Sequence, residues 1–478
     1  MNPPAGGLDQ LWRHQLALDP AAPALHVGTA VFSRADFEAE IGRQRAAFVA
    51  AGLGAGHVVA WLGSNSPSMI AALFACERIG AVLLPLNWRL AAAELGAIVR
   101  HGGASRVFAS AEHQALADRV QADLEPGADT EPGDLLLAYT SGTTGRPKGA
   151  LHTAAGMRAN AEAATAVQRI DTGTRALASL PLFHVGGLCI QTLPTLLAGG
   201  VVQLQPRFEA TAWFDGVAHW RPSTTVLVPA TMQALISHPR WAVADLASLK
   251  FVNSGSSVVP RPLIDAFHAR GVPVAQVYGA TETGPMSIAL DPDQAFEHPG
   301  KAGRAVPGVA IRLVGADGSE PAPDAAGEVL VSGPNVMRGY HREHDHPSFR
   351  DGWFHSGDLA RVDADGFFEV VGRASELIIS GGENIYPAEI ENLVAGLDGV
   401  AECAVVGLPD ARWGEVPVLA VVAAAGARFD PAAVRAALEG RLARFKHPQR
   451  IVQLDALPKT ALGKVQKAAL AELLVPPS

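Results

Sequence analysis

Cysteine is scarce: the 478 residues include three, Cys76, Cys189 and Cys403, far apart and with no CxxC pair. That excludes a zinc ribbon and a disulfide scaffold, and it suits a reducing cytoplasm. Charge is sparse too, at 18% of residues against 48% hydrophobic, which excludes a disordered or fibrous chain. Basic residues are in the minority, 38 Lys and Arg against 47 Asp and Glu, for a formal net charge of -9. Such a chain lacks the basic surface on which nucleic-acid binding depends. Long apolar runs are missing as well. Met69 to Leu86 is broken by Glu77 and Arg78, and Leu188 to Leu204 by Gln191, Pro194 and the pair Gly199 and Gly200. Neither supplies the ~20 apolar residues of a membrane span. The start, MNPPAGGLDQ, has neither the basic nor the apolar region of a signal peptide.

What the chain does have is a βαβ rhythm. The run 57–62 reads as a buried strand, Ser66 and Pro67 open a helix reaching Ile79, and 80–86 returns as a strand. Similar units follow around 225–229, 249–253 and 273–278, each strand ending in a small-residue loop. This rhythm predicts parallel sheets with helices on both faces and ligands at the carboxyl ends of strands, within an α/β protein whose large domain is expected to stack mixed sheets. From about Ala310 the texture becomes β-rich, with Asp317-Gly318 and Asp365-Gly366 marking turns. After Arg373 an α+β tail begins: a helix over 387–397, strands at 401–407 and 416–423, and a helix over 431–442. The length, about three times the ~150-residue prior for one domain, also calls for several units. The expected division is a large N-terminal domain over 1–374, a connection at 375–377 and a small domain over 378–478.

The strongest chemical signal runs from Leu135 through Thr140, Ser141, Gly142, Thr143, Thr144 and Gly145 to Arg146, Pro147, Lys148 and Gly149. A strand delivers a loop of hydroxyls, glycines and a lysine, which suits phosphate. It is not a Walker A loop, since Pro147 precedes the lysine and Gly149 follows it. Further motifs follow in order: Tyr278-Gly279-Ala280-Thr281-Glu282-Thr283, then Trp353 to Asp358, Gly372-Arg373, Ile379 to Pro387, and Pro458 to Lys464.

Together these motifs resemble the signatures of the adenylate-forming superfamily of acyl-CoA synthetases, peptide-synthetase adenylation domains and luciferases. The resemblance spans essentially the whole chain. It implies activation of a carboxylic acid by ATP as an acyl-adenylate, release of pyrophosphate, and transfer of the acyl group to CoA. Carried over, Thr140 to Gly145 and Lys148 hold the β- and γ-phosphates, and Thr140 and Glu282 flank Mg²⁺. Gly255, Ser256 and Ser257 line the adenine, with Gly279 and Ala280 beside it; many relatives have two alanines where this chain has Ser256 and Ser257. Tyr278 stacks on the base, Thr281 contacts the α-phosphate, and Asp358 and Arg373 take the ribose and nucleotide.

Lys464 resembles the catalytic lysine on the small domain, which in relatives rotates between the half-reactions. Ser380, Gly381, Gly382 and Glu383 then border the thiol arm of CoA. Glu376 stands where relatives often have a hinge Asp, and Ser375 replaces a frequent Lys or Asp. Neighbouring Lys459 and Lys467 read as solvated. In the run Pro181 to Leu188, His184 resembles the residue that gates the acyl pocket, whose floor includes Val185, Val228, Ser254, Gly279 and Pro285. None of these carries a charge, so the expected acid has a neutral aryl tail, such as a hydroxycinnamate, or a fatty one. Two rival readings are an enzyme loading an acyl-carrier protein and an inactive nucleotide-binding homologue. Residues that could take the CoA 3′-phosphate, Arg441, Arg444 and Lys446, are dispersed. The cluster His341, His344, Asp345 and His346 reads as an exposed loop rather than a metal site. The expected partners are the acid, ATP and CoA, with a homodimer compatible with the same reading.

Overall fold

The computed structural model describes residues 6–121, 130–140, 148–343, 346–410, 412–424, 426–427, 429–460 and 463–475. The βαβ reading holds at its first test. Strands Val58–Leu62 and Val82–Leu86 run parallel in register, Val58 opposite Val82 and Leu62 opposite Leu86. The helix Pro67–Ile79 connects them, and the Ser66 hydroxyl caps it by accepting from the Met69 N–H. In sheet order, Gly339–Tyr340, Lys148–Thr153, Asp134–Thr140, Val82–Leu86, Val58–Leu62 and Ala104–Ala109 form one six-stranded sheet.

A second, nine-stranded sheet sets Thr224–Leu227, Phe251–Ser254 and Val274–Tyr278 side by side and parallel. The three loops singled out above therefore leave adjacent strands at one edge, as the topology of an open α/β sheet requires. Between the two sheets lies a shared core. Trp12, Phe74, Leu135, Met157, Phe183 and Leu204 belong to one buried cluster. The strand that enters the phosphate loop and the segment before His184 are thus fixed by the same packing.

The β-rich part is antiparallel: Ala310–Val314 pairs with Gly327–Ser332, which pairs with Trp353–Val362, which pairs with Phe368–Arg373. The last pairing sets Asp358 directly opposite Arg373. The chain then makes one tight turn at Ala374–Glu376 and enters a separate sheet. Here Val400–Asp410 and Gly414–Ala423 form a long hairpin, with Arg450–Leu454 parallel to the second strand. Its own core includes Ile378, Ile390, Val405, Leu419 and Leu438. The helices of this unit are shorter than the sequence suggested, Pro387–Val394 and Pro431–Leu438. Glycine follows each within two residues, at Gly396 and Gly440, where helix propensity is lowest. No helix among the described residues is long and apolar enough to cross a membrane.

Charged contacts join this last unit to the rest. Arg361 lies 5.2 Å from the Tyr386 ring centroid and 3.1 Å from Glu389, which also pairs with Lys446. Lys467 corrects an expectation: it is not solvated. It is mostly buried, 2.9 Å from Glu391 and 3.3 Å from Glu376, the residue in the hinge position. Burial works to lower its pKa, but the charges of Glu391 and Glu376 outweigh burial and hold it above the ordinary lysine range. Because the folded pKa is raised, this contribution to stability is complete below the unfolded value, ~10.4, and is lost as pH rises through the folded one. Lys467→Met leaves two carboxylates without their cation and is expected to cost about 2 kcal/mol, read as a lower urea midpoint at neutral pH. An unchanged midpoint would show the pair to be as weak as an exposed one. Lys459, at 2.6 Å from Glu402, is also paired rather than free.

Candidate active site

The strand Val274–Tyr278 delivers Tyr278 to the junction of the second sheet with the β-rich part, where its ring packs against the cluster of Leu313, Val329 and Ala360. Its hydroxyl donates to Asp358 Oδ2 at 2.9 Å, while Arg373 Nε lies 3.0 Å from Asp358 Oδ1. Both carboxylate oxygens are therefore oriented. Burial pushes the Asp358 carboxyl up, and the Arg373 charge and the Tyr278 hydroxyl act against it. Asp358 in return holds the Arg373 guanidinium above its usual range. The loop carrying Asp358 is itself braced, with Gly357 N–H donating to Glu328 Oε1 at 3.0 Å and Asp358 N–H to Ser356 Oγ at 3.0 Å.

Lys464 reaches this group from the other unit. Its loop is closed by the Thr460 N–H donating to the Lys464 carbonyl at 2.8 Å and docks against the helix Pro229–Ile236. At Gly463 an added Cβ would lie 3.2 Å from Ala230 Cβ. Lys464 is exposed. Even so, burial and the Arg373 charge hold its ammonium below the ordinary lysine range, against the attraction of Glu376 and Asp358. Tyr278, Asp358 and Arg373, far apart in sequence, thus touch one another, and Lys464 lies within electrostatic range of Asp358 and Arg373.

The turn Thr281–Thr283 follows Tyr278, and two glycines near it are fixed by close approach. A Cβ on Gly279 would lie 2.6 Å from the Pro285 carbonyl, and one on Gly255 would lie 2.3 Å from the Val277 carbonyl oxygen. Ser256, next to Gly255, is exposed and takes φ of 74°, a left-handed conformation unusual for a serine. Ser257 is exposed beside it. Glu282 is half-buried; one carboxylate oxygen accepts from the Tyr340 hydroxyl at 2.8 Å. Its second oxygen has no hydrogen-bond partner among the described residues, leaving a hard oxygen donor of the kind Mg²⁺ takes. Thr140 and Lys148 stand opposite one another at the base of the phosphate loop. Ser141, Gly142, Thr143, Thr144 and Gly145 lie outside the described residues.

On the acyl side, His184 precedes the short turn Val185–Gly187. Its Nε2 is buried without a hydrogen-bond partner among the described residues. Burial, with the Arg89 charge adding to it, lowers its pKa to about 4, so the ring is neutral at neutral pH. Val185 and Pro285 border a small cavity with His152, Asn160, Cys189 and Asn335. Ser254 is fully buried and its hydroxyl lies 3.2 Å from the Met232 sulfur, while Val228 is half-buried at the start of the next helix. No charged residue borders that cavity. Burial pushes the thiols of Cys76, Cys189 and Cys403 up, Cys189 to about 12, so none is a ready nucleophile.

Ser380 to Glu383 make no hydrogen bond or ion pair with this group among the described residues. They form a two-residue hairpin turn in which Gly381 and Gly382 have φ of 61° and 88° and Ser380 pairs with Glu383. The glycines therefore have a local reason as well, since such turns need positive φ at both central positions. One sequence expectation is overturned outright. His341 is buried, its N–H donating to the Gly149 carbonyl at 2.7 Å, and His346 Nε2 lies 2.7 Å from Lys148 Nζ, so these residues are packed against the phosphate-loop strand rather than exposed. His344 and Asp345 lie outside the described residues. No group of three possible metal ligands occurs among the described residues. Tyr340, which belongs to none of the motifs above, lies beside this cluster in the sequence. Its signal was scarcity, since the chain has only four tyrosines.

Comparison with known proteins settles the family. The model of the AMP-binding enzymes matches residues 12–341, and that of the AMP-binding enzyme C-terminal domain matches residues 389–464. The chain belongs to the AMP-binding enzymes. Within this adenylate-forming family it is 44% identical to an indoleacetate–CoA ligase of Aromatoleum aromaticum, over 96% of each chain. It is 42% identical to a feruloyl-CoA synthase of an Amycolatopsis species, over 94% of this chain and 95% of that one. The ATP-bound structure of MatB from Rhodopseudomonas palustris superposes with a TM-score of 0.88 at 31% identity, over 98% of this chain and 99% of that one. This AMP-binding enzyme is thus an α/β ligase of the acyl-CoA synthetase type.

Proposed function

We propose that this AMP-binding enzyme ligates a neutral aryl carboxylic acid to CoA through an acyl-adenylate. The observation that carries the reading is the contact of Tyr278 and Arg373 with Asp358, with Lys464 of the C-terminal unit within electrostatic range of the Asp358–Arg373 pair. In the first half-reaction a carboxylate oxygen attacks the α-phosphorus of ATP and the bond to pyrophosphate breaks. An anion approaches a polyanion, so alignment and charge neutralisation dominate. Asp358 accepts from the ribose hydroxyls, Tyr278 is held by Asp358 to stack on the base, and Thr281 contacts the α-phosphate. Lys464 and Arg373 face the charge that builds there.

Glu282 and Thr140 would hold Mg²⁺, which when bound neutralises phosphate oxygens. Lys148 and the loop 140–145 take the β- and γ-phosphates. In the second half-reaction the CoA thiolate attacks the acyl carbon and AMP leaves. In this reading the unit beyond residues 375–377 rotates about Glu376 to bring Gly381 and Gly382 to the thiol. A cytoplasmic location and a homodimer complete the proposal.

The aryl tail is supported by the uncharged side chains at Val185, Val228, Ser254, Gly279 and Pro285, of which Val185 and Pro285 border one cavity, and by the two relatives named for aromatic acids. A second carboxylate on the acid would be buried there without a partner, at a cost of several kcal/mol. Pyrophosphate release across arylacetates, hydroxycinnamates, fatty acids and dicarboxylic acids, each with and without CoA, tests this. Aryl acids are expected to exceed dicarboxylic acids by at least ~100-fold in kcat/KM, with turnover requiring CoA. Preference for a dicarboxylic acid, or turnover that CoA does not raise, would refute the reading.

A further inference from the structure

Contacts from two loops converge on Tyr340. Its strand, Gly339–Tyr340, pairs antiparallel with Lys148–Thr153, the strand that leaves the phosphate loop, with Tyr340 opposite Ala150. Three residues earlier, the Met337 N–H donates to the Glu282 carbonyl at 2.8 Å. The segment 337–341 therefore ties the phosphate-loop strand to the turn that carries Glu282.

The side chain repeats the link. The phenol hydroxyl donates to Glu282 Oε1 at 2.8 Å. The ring lies 5.0 Å from Lys148 Nζ, centroid to nitrogen, and 4.5 Å from the His346 ring. Lys148 Nζ is in turn 2.7 Å from His346 Nε2 and 3.5 Å from Glu343. A lysine on a four-carbon stem would otherwise sample many rotamers; here a ring, an imidazole and a carboxylate hold it.

We propose that Tyr340 is a positioning residue for ATP: its hydroxyl decides which oxygen of Glu282 faces Mg²⁺, and its ring seats Lys148 for the phosphates. One side chain then sets the spacing between the metal-side carboxylate and the phosphate-side cation. The inference rests on the reading of Glu282 and Lys148 given above. Hydrogen bonds to a charged acceptor are among the stronger ones, and outer partners of metal ligands commonly carry 10–100-fold in metal affinity.

The test is ATP binding by calorimetry on the full-length protein, in EDTA and across a Mg²⁺ titration, with Tyr340→Phe, Tyr340→Leu and Glu282→Gln. Tyr340→Phe keeps the ring and is expected to bind ATP normally in EDTA but to need about 10-fold more Mg²⁺ for half-maximal effect. Tyr340→Leu should also weaken ATP binding in EDTA by about 3–10-fold, because the ring under Lys148 is gone. In the Glu282→Gln background, Tyr340→Phe should add nothing to the Mg²⁺ requirement. If Glu282→Gln raises that requirement and Tyr340→Phe does not, the positioning role is overturned while the reading of Glu282 stands. If Glu282→Gln itself leaves it unchanged, the reading of Glu282 falls and the proposal with it. Wild-type binding by Tyr340→Leu in EDTA would overturn the seating of Lys148.

Discussion

Lys464→Ala is expected to slow pyrophosphate release by about 10²–10³-fold, the range seen when one preorganised charge-stabilising donor is removed. The same variant should make thioester from supplied acyl-AMP and CoA at close to the wild-type rate. The asymmetry follows from geometry. On the proposed reading, Lys464, within electrostatic range of Arg373 and Asp358, faces the negative charge that builds during attack on the α-phosphorus, and it belongs to a unit proposed to rotate away before the thiol arrives. Its backbone loop is held by Thr460 and by contact with Ala230, so loss of the ammonium leaves the docking intact. The two half-reactions, measured separately, decide the matter. Equal loss in both would mean that Lys464 supports the local fold rather than the first chemical step.

Gly382→Leu should give the opposite pattern: pyrophosphate release persists while thioester formation falls by about 100-fold or more, the scale of a misplaced reactant. An added Cβ at Gly382 meets no atom within 4 Å in the present arrangement, so adenylation has no reason to suffer from a clash. The turn itself needs positive φ, however, and leucine strains it. Gly382→Asn controls for this, since asparagine tolerates the left-handed region. It should adenylate normally and retain more thioester formation than the leucine variant. Thioester formation at the wild-type rate in Gly382→Leu would show that the thiol reaches the acyl-adenylate by another route.

What could be read from sequence was local. The strand–helix–strand unit 58–86, the hairpin turns at 317–318 and 365–366, and the motifs holding Tyr278, Glu282, Asp358, Arg373 and Lys464 all announce themselves within a few residues. Contacts made over long distances did not. Lys148 and His346 are 198 positions apart, and nothing near His346 shows that its ring meets the phosphate-loop lysine. Lys467 looked solvated because its carboxylate partners, Glu376 and Glu391, come from the turn Ala374–Glu376 and from another helix. The histidine cluster looked exposed because its polar residues suggested a loop, whereas His341 is drawn in by a backbone hydrogen bond to Gly149. Gly381 and Gly382 show the converse: the sequence offered a functional reason, and the hairpin supplies a structural one beside it.

The central claim is that the acid is activated by attack on the α-phosphorus. It is tested most directly with the best acid of the panel, labelled with ¹⁸O in both carboxylate oxygens, incubated with ATP, Mg²⁺ and CoA. One labelled oxygen bonds to phosphorus and departs with the nucleotide; the other stays in the thioester carbonyl. AMP carrying one ¹⁸O, with unlabelled pyrophosphate, is the predicted result. ADP with label in inorganic phosphate would place the attack on the γ-phosphorus and contradict the account.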